Sequence, residues 1–188
     1  MTIERILWKS YFMPGHEICR LSQRNSRWKL DGILLFAYEQ QPGRLDYQVV
    51  CDSRWQTISA KVEGMLGNRA VDLQLAVNEC QHWSFNQVDC PEVTGCIDLD
   101  LNFSPSTNLL PIRRLGLKVG ESAQITAAWL RFPAFELEPL EQQYTRLAEN
   151  TYRYESRGGE YVAELQVTPA GFVTNYPDLW QAEAYSNE

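Results

Sequence analysis

RLDYQVVCDSRWQTISAKVEG, residues 44–64, alternates apolar and polar side chains twice over, and that period decides the fold class. Leu45, Tyr47, Val49 and Cys51 fall on one face of an extended chain, with Asp46, Gln48 and Asp52 on the other. Beyond a polar turn, Ile58, Ala60 and Val62 alternate in the same way with Thr57, Ser59, Lys61 and Glu63. Successive side chains of a strand point to opposite faces, so the two runs predict adjacent, half-buried strands.

The same period recurs on either side. Val71, Leu73, Leu75 and Val77 form a third apolar face, and Ile97, Leu99, Leu101 and Phe103 a fourth, opposed by Asp98, Asp100 and Asn102 on what reads as the outer face of an amphipathic sheet. Segments 122–132, 136–147, 151–156, 160–167 and 171–176 have strand-like content bounded by Gly and Pro. Turn signals such as Gln41-Pro42-Gly43, Gly67-Asn68 and Arg157-Gly158-Gly159 punctuate the chain at roughly 8–12 residue spacing, the rhythm of antiparallel meanders. The prediction is an all-β fold, mainly antiparallel, of about a dozen strands, with edges protected by closure into a barrel or a strongly curved sheet. One segment breaks the pattern: SPSTNLLPIRRL, residues 104–115, places small capping residues before an apolar and basic run, and Pro111 can open a helix of one or two turns. It divides two strand-rich halves that no residue-level repeat relates.

A chain of 188 residues fits one domain over residues 1–188 and buries enough surface to fold without a disulfide or metal. Its five cysteines form no CxxC pair, and with only two histidines they read as small apolar residues rather than a zinc site. The formal charge of −7 repels phosphate backbones, which argues against nucleic acid as a partner and against strongly anionic membranes. The opening MTIERILWKSYFMPGHE lacks an apolar run of signal-peptide length, and no stretch approaches the ~20 apolar residues of a spanning helix, so a cytoplasmic protein without stable membrane insertion is expected.

Catalytic templates fail for want of parts: no GxSxG, GxxxxGK[ST], GxGxxG or HExxH occurs, and no cofactor is called for. His16 and Cys19 would lie on opposite faces of a strand, too far apart for a thiolate–base pair. Asp98 and Asp100 share one strand face roughly 6–7 Å apart, a spacing that suits an acid and base pair or a hard cation. The commoner fates are a solvated face or pairing with Arg113 and Arg114. Those arginines, beside Thr107 and Asn108, offer guanidinium forks for phosphate or sugar hydroxyls. Six Trp, nine Tyr and seven Phe are enough aromatic surface to line an internal cavity as well as fill a core.

The runs GCIDLDLNFSPSTNLLPIRRLGL (95–117) and AAWLRFPAFELEPLEQQYTRL (127–147), with HEICRL (16–21), residues 44–64 and NYPDLW (175–180), resemble the bacterial putative glycolipid-binding family along nearly the whole chain. The resemblance implies a spurred or split β-barrel of two related halves that binds a glycolipid or similar amphiphile, and it carries no catalytic residues. On that reading Arg113, Arg114, Asn108, Thr107, Asp98, Asp100, Arg131 and Tyr144 are rim residues of a ligand cavity, and Trp55, Trp129, Phe132 and Trp180 its walls. The alternatives are a small lipid- or sugar-modifying enzyme using Asp98 and Asp100 as acid and base, or a β domain whose strand edges pair with a protein partner.

Overall fold

The computed structural model describes residues 2–187. The strands are β1 (Thr2–Ser10), β2 (Gly15–Arg24), β3 (Arg27–Tyr38), β4 (Gln41–Cys51), β5 (Thr57–Leu66), β6 (Arg69–Val77), β7 (Trp83–Phe85), β8 (Val88–Asp89), β9 (Leu99–Leu101), β10 (Ser122–Arg131), β11 (Glu136–Ala148), β12 (Thr151–Ser156), β13 (Tyr161–Val167), β14 (Val173–Tyr176) and β15 (Trp180–Asn187). They form one sheet in the order β8-β7-β6-β5-β4-β3-β2-β1-β15-β14-β13-β12-β11-β10-β9. Every pairing is antiparallel except β9 with β10. The fifteen strands fit the expected dozen or so, with the three-residue β7 and two-residue β8 among the additions. No helix among the described residues is long and apolar enough to cross a membrane.

The sheet curls without closing. β1 pairs with β15 and so joins the two halves, while β8 and β9 are left as edges. The β9 edge is tied instead to the start of β5: Thr57 N donates to Ile97 O at 3.2 Å, and Leu99 N donates to the Thr57 hydroxyl at 3.2 Å. A barrel or a strongly curved sheet was the expected way to protect edges; the curved sheet is what forms, and side-chain capping on a very short strand protects its β9 edge.

Burial follows the predicted alternation along β4, where Leu45, Tyr47, Val49 and Cys51 all face inward. It slips at the start of β5. Cys51 pairs with Thr57 and Val50 with Ser59, so Ile58 has no partner; this bulge turns Thr57 inward in place of Ile58 and sets it beside β9. The central segment becomes a 3-10 turn over Pro105–Asn108 followed by α1 (Leu109–Leu115). The turn is opened by Pro105 and capped by the Ser104 hydroxyl, which accepts from Ser106 N, so Pro111 lies inside α1 and does not start it.

The largest correction concerns the β9 face. Asp98 is 1% exposed, and Asp100 and Asn102 are half-buried in the lining of a pocket, so the expected solvated face is withdrawn from bulk solvent. β9 and β10 act as a partition. Their parallel register aligns Leu99 with Ala128 and Leu101 with Leu130 on one side, towards the core where Phe103 meets Tyr47 of β4, while Asp100 and Trp129 point to the other.

Candidate functional site

On that other side, strands β9 to β15 curl around a pocket of about 240 Å³. Each of the seven supplies a lining side chain: Asp100 from β9, Trp129 from β10, Leu140 from β11, Tyr154 with Ser156 from β12, Tyr161 from β13, Tyr176 from β14 and Trp180 from β15. Asn102, Ser104, Pro105 and Asn108 of the central segment cover one side, and Arg157 and Leu179 come from the turns that follow β12 and β14. Inward alternation puts these residues together, because β12 buries Tyr152, Tyr154 and Ser156 and β11 buries Leu140, Gln142 and Tyr144.

Asp100 is the pocket's acid. Gln142 Nε2 donates to Asp100 Oδ2 at 2.6 Å, and no ion pair to Asp100 occurs among the described residues. Burial pushes its carboxyl up to about 6, against the lowering effect of the Gln142 bond. Burial also raises the phenols of Tyr144, Tyr154 and Tyr176, with the Asp100 charge adding to the shift in each. Tyr154 and Tyr176 rings meet edge to face at 6.2 Å, and Tyr144 and Tyr154 at 5.2 Å. Asn108 Nδ2 donates to Tyr144 Oη at 2.9 Å and fixes the pocket floor. At the mouth, the exposed Arg157 guanidinium lies 5.3 Å from the Trp129 ring centre.

Of the twelve residues proposed from the sequence, Asp100, Asn108, Trp129 and Trp180 line this pocket and Tyr144 supports it. The others go elsewhere. Arg114 forks onto Asp98, Nε to Oδ1 at 3.0 Å and Nη2 to Oδ2 at 2.5 Å, so Asp98 and Asp100 do not form a free acid and base pair. Burial raises the Asp98 carboxyl while the Arg114 bonds pull it down. Thr107 caps the β9 edge by accepting from Leu101 N. Arg113 sits over Trp55, which stacks on Trp28 at 4.1 Å, in the region of the β2–β3 and β4–β5 turns. Phe132 packs edge-on against Phe12, Phe36, Tyr38, Phe103 and Phe135, and is core. Arg131 is paired on the surface with Glu136 and Glu138.

Alternation along YRYES did carry the signal for Tyr154, but nothing local marks Tyr161, Gln142 or Arg157, whose neighbours come from distant strands. A second buried acid was also missed. Tyr47 Oη donates to Glu17 Oε1 at 2.5 Å and Ser104 Oγ donates to the same oxygen at 2.6 Å, while Oε2 is buried without a partner. Burial lifts Glu17 to about 8. His16, by contrast, is exposed beside Glu183, on the face opposite buried Cys19.

A family model described as putative glycolipid-binding matches residues 5–182. No curated protein matches the chain. Among crystal structures, a DUF1089 family protein from Pseudomonas aeruginosa is 32% identical, with a TM-score of 0.78 over 88% of this chain and 91% of its own. A β-barrel-like protein of domain of unknown function DUF1849 from Brucella abortus superposes with a TM-score of 0.59 over 100% of this chain and 98% of its own, at 7% identity, a likeness of fold alone. With the family match running through all but the ends, the chain belongs to the putative glycolipid-binding family.

Proposed function

We propose that the protein binds, without turning it over, a glycolipid or similar amphiphile by its polar head. The observation that carries this is the convergence of side chains from six strands, five of them aromatic rings, around the single carboxyl that a seventh strand supplies. Aromatic faces pack against the apolar face of a sugar ring, and carboxylate and amide groups take its hydroxyls. At about 240 Å³ the pocket lies below the roughly 300–1,000 Å³ of sites that swallow whole drug-sized ligands, so it suits one ring and leaves an acyl tail outside. A path for that tail starts at the rim. Tyr11 N and Phe12 N both donate to the carbonyl of Leu179, a pocket-lining residue, and the two rings on this lip are 58% and 44% exposed.

The test is solvent extraction of protein purified from its native host, followed by mass spectrometry, for the wild type and Trp129→Ala. The expected result is a stoichiometric amphiphile in the wild-type extract, reduced about tenfold or more in the variant. Equal yields from both proteins, or an empty wild-type extract after incubation with host lipids, would refute the reading.

A further inference from the structure

The pocket's one carboxylate is set apart from the cations that neutralise its neighbours. Asp98, two residues before it in the chain, is neutralised by Arg114, and Glu155 on β12 pairs with Arg153 at the surface. Among the described residues, Asp100 has Gln142 alone, a neutral donor that occupies only Oδ2. A carboxylate taken from water without a cation carries a desolvation penalty that an incoming cation relieves. Around it stand the rings of Trp129, Tyr154, Tyr161, Tyr176 and Trp180, whose π faces attract cations and do so more strongly out of water. The molecule already shows this preference, since the guanidinium of Arg157 rests on Trp129. Arg157 is exposed and belongs to the Arg157–Gly158–Gly159 turn, with φ of 52°, 66° and 92°, outside the strand ladder.

On the reading that this pocket is the head-group site, we propose that the head carries a cationic nitrogen, as an amino sugar does, held between the Asp100 carboxylate and the aromatic rings, with Arg157 occupying the Trp129 face until the ligand displaces it. A neutral sugar would use the same rings but would leave Asp100 without a counter-charge. An anionic head would meet Asp100 directly.

Three probes isolate the charge: octyl glucoside, octyl 2-amino-2-deoxyglucoside and its N-acetyl form, titrated by calorimetry at about pH 7, where Asp100 is ionised and the amine largely protonated. The amine is expected to bind about tenfold tighter than either neutral probe. In Asp100→Asn that advantage should vanish. In Arg157→Gln, a surface change that leaves the strands intact, the amine should bind several-fold tighter because its competitor is gone. Equal binding of the three probes would overturn the inference while leaving the head-group reading in place. No binding by any of them would overturn both. An amine advantage that survives Asp100→Asn, or an Arg157→Gln variant that binds the amine no better, would also refute it.

Discussion

At the scale of single residues, the interior holds more acid than its apolar surroundings favour. Glu4 and Glu17 both face inward from β1 and β2, and each keeps one carboxyl oxygen buried without a partner. Glu17 titrates at about 8 in the fold against 4.5 for the ordinary side chain, so between those values the folded chain holds a proton that the unfolded chain has lost. Stability therefore falls as pH rises from 4.5 towards 8, and is flat beyond. Glu17→Gln keeps an acceptor for Tyr47 and Ser104 and removes the titration. Its midpoint of thermal unfolding should exceed that of the wild type at pH 8 by an amount worth at most about 5 kcal/mol, and the gap should close towards pH 4.5. Unfolding curves that stay parallel across this range would show that Glu17 is ionised throughout. Gly32 makes the arrangement possible, because a Cβ there would lie 2.1 Å from the Tyr47 ring whose hydroxyl reaches Glu17.

At the scale of elements, the decisive piece is the partition of β9 and β10. A three-residue strand has little ladder of its own, so it is held by what surrounds it: Thr57, Thr107 and the fork from Arg114 on α1 to Asp98. Arg114→Ala should destabilise the protein by about 3 kcal/mol, since it leaves Asp98 buried and unpaired, and Asp98→Asn in the same chain should recover part of that loss. Denaturant titration of the single and double variants checks this; additive losses would mean that the two side chains are not coupled. The partition also explains what could be read in advance. Strands β4, β6, β12 and β13 were legible because each has one inward face and a clear period of two. β9 obeyed the same period, yet its polar face is half-buried against a pocket, and a polar face turned to a pocket looks the same in sequence as one turned to solvent. Asp100 and Trp129 could thus be proposed for a site, and pairing of the two acids with Arg113 and Arg114 was among their expected fates; that Arg114 takes Asp98 and leaves Asp100 to the pocket depends on where α1 folds back, which spacing does not encode.

At the scale of the whole molecule, the antiparallel β1–β15 pairing places the lip formed by the β1–β2 turn beside the mouth of the pocket formed by β9 to β15. Ser10 at the end of β1 pairs with Trp180 at the start of β15, and Leu179 just before it receives the backbone bonds from Tyr11 and Phe12. A ligand whose head fills the pocket must send its tail outwards, and the apolar surface continuous with the rim is this lip. Full burial of a methylene contributes about 0.8 kcal/mol, so contact on one side only should strengthen binding about twofold per added methylene. In a series from methyl to decyl glycosides sharing one head, wild-type affinity should climb with chain length. In the double variant Tyr11→Ser, Phe12→Ser the climb should flatten, while the methyl glycoside binds as before because no pocket residue has changed. A slope that survives in the variant would route the tail elsewhere. A loss at the methyl glycoside would instead mean that the lip shapes the pocket itself through Leu179.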